Sequence, residues 1–133
     1  IAYNAKVQRP TVCNALDTLL VHSDAAPRYL SRIAQEWSSA GVELRCDKRA
    51  LSILGPVPDL NLTPANDDDW GTEFLDLVAA VKIVDSLDEA LEHIEKYGSG
   101  HSEAIIAEDY SAAMRFLDEV DAAAKALREV CQK

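Results

Sequence analysis

The sequence predicts an α/β fold, a parallel or mostly parallel sheet flanked by helices. Short runs dense in Leu, Val and Ile alternate with segments whose apolar residues recur at helical spacing. Capping and turn residues stand at the changes of type. The strand–helix alternation implies parallel strands joined by right-handed crossovers.

Leu16 to His22 reads as a buried strand, rich in Leu and Val. Ala26 to Ala40 has helical spacing, with Tyr29, Leu30, Ile33, Ala34 and Trp37 on one face; Asp24 is the expected cap and Gly41 the stop. Val42 to Arg45 is a short strand. Asp47 can cap a short helix running through Leu54. Gly55 to Asp69 gathers Pro, Asn and Asp and reads as a loop. Leu75 to Val84 is a strand region, with Val78, Val81, Ile83 and Val84 as core candidates. Ser86 and Glu89 have capping-box spacing and open a helix that buries Leu87, Ala90, Leu91 and Ile94 and ends by Gly98. Glu103 to Ala107 is a strand. Asp109 caps a helix containing Ala113, Phe116, Leu117 and Val120. From Ala122 to Lys133 one strong helix former follows another, which predicts a C-terminal helix.

At 133 residues and 48 % hydrophobic, the chain has the size and composition of one folded domain, 1–133. The net charge of −10 argues against nucleic acid or an anionic membrane surface as partner. It also means that any phosphate site must be locally basic; Arg9, Lys6 and Lys82 are the candidates, set against the ordinary role of solvated surface charge. Cys13, Cys46 and Cys131 form neither a disulfide framework nor a Cys-x-x-Cys zinc pattern, and His22, His93 and His101 lie near no cysteine pair, so no metal site is expected. The reading is a reduced, cytoplasmic protein. No apolar run reaches the ~20 residues of a membrane span, and no signal peptide opens the sequence.

Cys13 is the one residue that points to covalent chemistry. It sits in Gln8-Arg9-Pro10-Thr11-Val12-Cys13-Asn14-Ala15, near the start of a turn rich in capping residues. Unpaired N–H groups at a helix start stabilise a thiolate placed among them, and Arg9 adds positive potential. The plain alternative is a small buried hydrophobe, the usual lot of a cysteine outside a disulfide. Asp67-Asp68-Asp69 lacks calcium-loop spacing and reads as a solvated turn. No Gly-x-Gly-x-x-Gly follows a strand, and no nucleophile-elbow pattern is present.

Three ordered blocks carry a family resemblance. Asn4 to His22 resembles the nucleophile segment of the gamma-glutamyl phosphate reductases (glutamate-5-semialdehyde dehydrogenases), in the aldehyde dehydrogenase superfamily. Asp69-Trp70-Gly71-Thr72-Glu73-Phe74-Leu75-Asp76-Leu77 and Tyr97-Gly98-Ser99-Gly100-His101-Ser102-Glu103-Ala104-Ile105-Ile106 are similar to two further signatures. The resemblance runs from about Asn4 to about Asp121. It implies an aldehyde dehydrogenase catalytic-domain-like fold and NADPH-dependent reduction of L-glutamyl 5-phosphate to L-glutamate 5-semialdehyde in proline biosynthesis.

The matching cysteine of the family attacks the acyl carbon, phosphate leaves, and the thioester is reduced by hydride from NADPH. By resemblance Cys13 is that nucleophile, and its backbone N–H an oxyanion donor. Asn14 adjoins it as a substrate contact, or simply caps the turn. Glu73 falls where the superfamily holds the nicotinamide ribose; its plain role is an exposed strand-start carboxylate. Ser99 and His101, between glycines that allow close approach, are substrate contacts, or merely parts of a helix–strand loop.

Two other readings stand beside the reductase. The resemblance implies a nucleotide-binding region ahead of Asn4, yet the sequence begins at Ile1, and past Asp121 it departs from the family pattern. The chain therefore reads as an excised or re-terminated catalytic domain. It could serve without turnover as a folded structural or assembly module, its C-terminal helix packing through Leu127 and Val130 on itself or a partner. A related dehydrogenase acting on another acyl phosphate or aldehyde is the third. The oligomeric state is open, a homo-oligomer included.

Overall fold

The computed structural model describes residues 1–122 and the backbone of residues 124–129. Where the sequence predicts one domain over 1–133, the chain divides into two compact units, Ile1–Asp85 and a second beginning at Ser86. Each unit has its own parallel sheet, so strand pairing is completed separately in each.

The first unit comprises α1 (Ala2–Val7), β1 (Thr18–His22), α2 (Ala26–Ser39), β2 (Glu43–Cys46), α3 (Lys48–Leu54), β3 (Leu62–Pro64), a 3-10 helix (Asp67–Gly71) and β4 (Val78–Val84). The four strands are all parallel in the order β1-β4-β2-β3. Strand β4 lies between β1 and β2, and Ala79, Ala80, Val81, Ile83 and Val84 are all buried. Burial on both faces explains why this strand reads as a continuous apolar run without alternation.

One face of the sheet contributes Val21, Leu44, Cys46, Ala79, Val81 and Ile83 to a core shared with Leu30, Ile33, Ala34 and Trp37 of α2 and Ala50 and Leu54 of α3. Those α2 positions recur at helical spacing, as the sequence predicts, with Tyr29 half-buried at the margin. The helix takes Ala25, not Asp24, as its N-cap, with no side-chain capping bond and Pro27 in its first turn. The Asp24 N–H instead donates to His22 Nδ1 at 3.1 Å. Gly41 ends the segment with φ +88°, a conformation that costs glycine little. Asp47 caps α3 as expected: Oδ1 accepts from the Ala50 N–H at 2.8 Å, while Oδ2 accepts from the Ile83 N–H at 3.2 Å.

The stretch Gly55–Asp69, expected as loop, contains β3 and the start of the 3-10 helix. Pro64 ends β3, and β3 is an edge strand, where a residue without an N–H is tolerated. Strand β4 begins at Val78 rather than Leu75, because Leu75 has φ +51°.

The second unit comprises α4 (Leu87–Tyr97), β5 (Ser102–Ala107), α5 (Tyr110–Glu119) and β6 (Ala124–Glu129). Ser86 caps α4 through the Glu89 N–H, and Asp109 caps α5 through the Ala112 N–H, both as the sequence predicts. Arg115 of α5 binds Asp88 of α4 and Glu119 of its own helix. Leu87, Ala90, Leu91 and Ile94 are only half-buried; the most enclosed residue of α4 is His93, whose ring stacks at a tilt 4.7 Å from that of Tyr97.

The predicted C-terminal helix over 122–133 is a strand in its described part. β6 pairs parallel with β5 from Ser102↔Ala124 to Ala107↔Glu129. Helix propensity in this segment amounts to tenths of a kcal/mol per residue, whereas β5 without β6 would have no sheet partner in its unit. Val130, Cys131 and the rest of the tail lie outside the described residues. No helix among the described residues is long and apolar enough to cross a membrane.

Candidate functional site

The Cys13 turn is built between α1 and β1. The Ala15 N–H donates to the Val12 carbonyl at 3.0 Å, which puts Cys13 and Asn14 at the two central positions of a tight turn. The Leu16 N–H donates to the Ala5 carbonyl at 2.8 Å and closes the base of the excursion onto α1. Cys13 is exposed. The helix start expected around it is absent: α1 ends at Val7 and the next helix begins at Ala26. The turn itself, not a helix terminus, presents this thiol.

Beside the turn lies a cleft of about 330 Å³ lined by Asn4, Gln8, Arg9, Val12 and Asn14 among others. Its amide groups and one guanidinium are the donors a carboxylate or phosphate needs. A larger hollow of about 450 Å³, lined by Tyr3, Gln35, Glu36 and Ser39, carries a carboxylate and no cation. For an anionic ligand the smaller cleft has the better chemistry. Of the three basic candidates only Arg9 faces this cleft. Lys82 is half-buried in β4, and Lys6 is wholly buried.

Lys6 is the least expected side chain of the region. It lies on the inner side of α1, four residues from buried Ala2, and its Nζ has no hydrogen-bond partner among the described residues. Asp17 Oδ1 is 3.9 Å away. Burial lowers the Lys6 pKa, partly offset by Asp17 and Asp76. Burial likewise raises that of Asp17, opposed by the Phe74 N–H and Lys6 and assisted by Glu73. Asp17 Oδ1 accepts from the Phe74 N–H at 3.2 Å, and its carbonyl accepts from Ala80 of β4 at 2.8 Å.

Glu73 is exposed and stands in the irregular segment between the 3-10 helix and β4, not at a strand start. That segment is held from both ends. Asp69, which the sequence reading places in a solvated turn, is only 3 % exposed. Its Oδ1 accepts from Arg45 Nη1 at 2.7 Å and its Oδ2 from the Asn66 N–H at 2.8 Å, completing a capping box. The Arg45 guanidinium also lies 5.3 Å from the centre of the Phe74 ring. Two residues after Glu73, Leu75 adopts a left-handed conformation that costs a side chain bearing Cβ about 1 kcal/mol.

Ser99 and His101 belong to the second unit. The His101 N–H donates to Ser99 Oγ at 3.3 Å, and the His101 ring nitrogen Nδ1 lies 2.6 Å from Ser102 Oγ. Gly100 between them has φ +73°. All four residues are exposed, so this loop offers two hydroxyls and an imidazole to solvent. Among the described residues no cluster of His, Cys, Asp and Glu could hold a metal ion.

The structure thus brings Cys13, Asn14 and Arg9 to one turn, sets Glu73 on a braced segment of the same unit, and gathers Ser99 and His101 in the other unit. Asp17, Lys6, Arg45 and Asp69 escape a reading by motif. One signal does exist for Lys6: its four-residue spacing from Ala2 would place both on the same face of a helix.

No family model matches the chain. It is 64 % identical over 124 residues to gamma-glutamyl phosphate reductase of Dehalococcoides mccartyi, covering 93 % of this chain and 29 % of that protein. The reductase of Persephonella marina is 55 % identical over 127 residues, covering 93 % of this chain and 28 % of its own. A crystal structure of gamma-glutamyl phosphate reductase from Thermotoga maritima matches with a TM-score of 0.90 at 46 % identity, over 96 % of this chain and 30 % of that one. An acetylating aldehyde dehydrogenase from Geobacillus thermoglucosidasius shares the fold, with a TM-score of 0.62 at 19 % identity over 95 % of this chain and 35 % of its own. The expected fold, a parallel sheet flanked by helices of aldehyde dehydrogenase type, is borne out. The chain spans less than a third of the length of the curated relatives it matches.

Proposed function

We propose that this chain carries the thiol-bearing part of a gamma-glutamyl phosphate reductase, which reduces L-glutamyl 5-phosphate to L-glutamate 5-semialdehyde and phosphate in cytoplasmic proline biosynthesis. The observation that carries the reading is an exposed thiol, Cys13, on a hydrogen-bonded turn beside a cleft lined by Arg9 and Asn14. The identity to reductases along most of the chain supports it.

In this reading the Cys13 thiolate attacks the acyl carbon of the substrate. A C–S bond forms, the bond to the phosphate oxygen breaks, and phosphate departs. In the same reading the Cys13 N–H and the Asn14 amide donate to the developing oxyanion, and Arg9 balances the negative charge of the acyl phosphate. NADPH, when bound, supplies the hydride that reduces the thioester; the C–S bond then breaks and regenerates the thiolate. Glu73 is an exposed carboxylate on a braced segment, fitted to accept two ribose hydroxyl hydrogen bonds. The glycine-rich loop that would cradle the cofactor's phosphates has no counterpart in the sequence, so these residues fit the ribose contact only. Ser99 and His101 fit the role of contacts for the substrate's polar groups.

The test is a segment exchange. The matching part of the Dehalococcoides mccartyi reductase is replaced by these residues, and NADP-dependent oxidation of glutamate 5-semialdehyde in phosphate is followed. The expected result is turnover that Cys13→Ser abolishes. Turnover that survives C13S would refute the assignment.

A further inference from the structure

We infer that buried Lys6 and half-buried Asp17 form a clamp that fixes the Glu73–Phe74 segment relative to the Cys13 turn, and that both are positioning residues for the reaction proposed above, on which their role in turnover rests. Lys6 projects from the helix whose Ala5 carbonyl closes the base of the Cys13 excursion. Its Nζ meets Asp17 Oδ1 at 3.9 Å, and the same Oδ1 accepts the N–H of Phe74, the residue after Glu73. The Asp17 carbonyl is tied to Ala80, so the backbone that carries this carboxylate is fixed to the sheet. A continuous path therefore runs from the thiol turn to the candidate ribose carboxylate through two charged side chains.

The chemistry of the pair argues for geometry rather than for stability. Lys6 is fully buried and its ammonium makes no hydrogen bond among the described residues. A charge pair so poorly satisfied is no better for stability than apolar side chains of the same volume. Its use is directional: the ammonium holds Asp17 Oδ1, the same oxygen that accepts the Phe74 N–H, in place. The left-handed Leu75 follows directly, which leaves the segment few alternative conformations if that tether holds.

The clamp is tested first on this chain by amide hydrogen exchange in Lys6→Met. Phe74 protection is expected to fall about tenfold, the loss of roughly one net hydrogen bond, while Leu44 and Val81 in the sheet shift less than about twofold. Unchanged Phe74 protection overturns the clamp. If K6M fails to fold because half-buried Asp17 is left without its countercharge, the K6M/D17N chain decides, since it holds no lone charge. A loss of at least about fivefold at Phe74 with a protected sheet supports the clamp, and wild-type protection there overturns it.

The second readout is KM against kcat in the active segment-exchange reductase. K6M is expected to raise KM for NADPH about tenfold, with kcat within about twofold and Lys6→Arg recovering most of the loss. An unchanged KM, or a fall in kcat alone, overturns the positioning role. A segment-exchange enzyme inactive before any substitution refutes the reductase reading instead, and the exchange data still judge the clamp.

Discussion

Replacing Asp69 by alanine removes two bonds at once. The Asn66 N–H loses its acceptor, a capping contribution of about 1 kcal/mol. Arg45 loses its 2.7 Å partner; because the Arg45 side chain is 32 % exposed, water replaces much of that bond, leaving about 1 kcal/mol rather than the value for a fully buried pair. The sum, about 2 kcal/mol, lowers the melting temperature of a unit of this size by roughly 8–16 °C. Trp37 and Trp70 both lie in the first unit, so tryptophan fluorescence reads its unfolding without contribution from the second. Asp69→Asn retains an acceptor for the cap and is expected to cost about half as much. The Asp69→Ala and Arg45→Ala effects should be less than additive, since each removes the same bond. A D69A melting temperature within about 2 °C of wild type would refute this account of how the Glu73 segment is held.

Two further outcomes follow from burial. Cys46 is almost fully buried, and its thiol is pushed up to about 12 by desolvation and by Asp47. At pH 8 its thiolate is about one part in ten thousand, so iodoacetamide should label exposed Cys13 at least about a thousandfold faster, by peptide mass spectrometry. Comparable labelling in the folded chain refutes the packing of β2. Burial also raises the pKa of Glu103 above its ordinary value of 4.5. The folded chain then binds the proton more tightly than the unfolded one, so this group makes stability fall as pH rises from 4.5 through its folded pKa. Glu103→Gln should remove that decline and stabilise the second unit at neutral pH, seen as slower amide exchange in β5. An unchanged pH profile counts against it.

Local signals were legible and long-range ones were not. Ser86, Asp47 and Asp109 cap helices because each cap needs only a side chain and an N–H three residues on, so sequence spacing determines it. The apolar stripe of α2 is equally local. Strand β6 escaped because its residues favour helix in isolation, and only pairing with β5 overrides that preference. Asp69 resembled a solvated acidic turn because its partner, Arg45, lies 24 positions earlier and on another element. The setting of Cys13 was not legible: the helix start suggested by the capping residues is a closed turn that leaves the thiol exposed. The ion pair of Lys6 with Asp17 had no motif, since neither charge is placed by periodicity once α1 is unrecognised.

Strand β4 is the last strand of the first unit to be synthesised and yet the one that joins β1 to β2. Its pairing with β1 spans about 60 residues, a long loop closure by the standards of small domains. On the ribosome, β2 and β3 can meet early, but β1 has no neighbour until Val78–Val84 has left the exit tunnel. The Cys13 excursion is thus left without its sheet until β4 emerges, its thiol open to oxidants and its apolar strand open to other nascent chains. A ribosome that stalls while Val78–Val84 is still inside the exit tunnel would prolong that interval, and a stall after it has emerged would not.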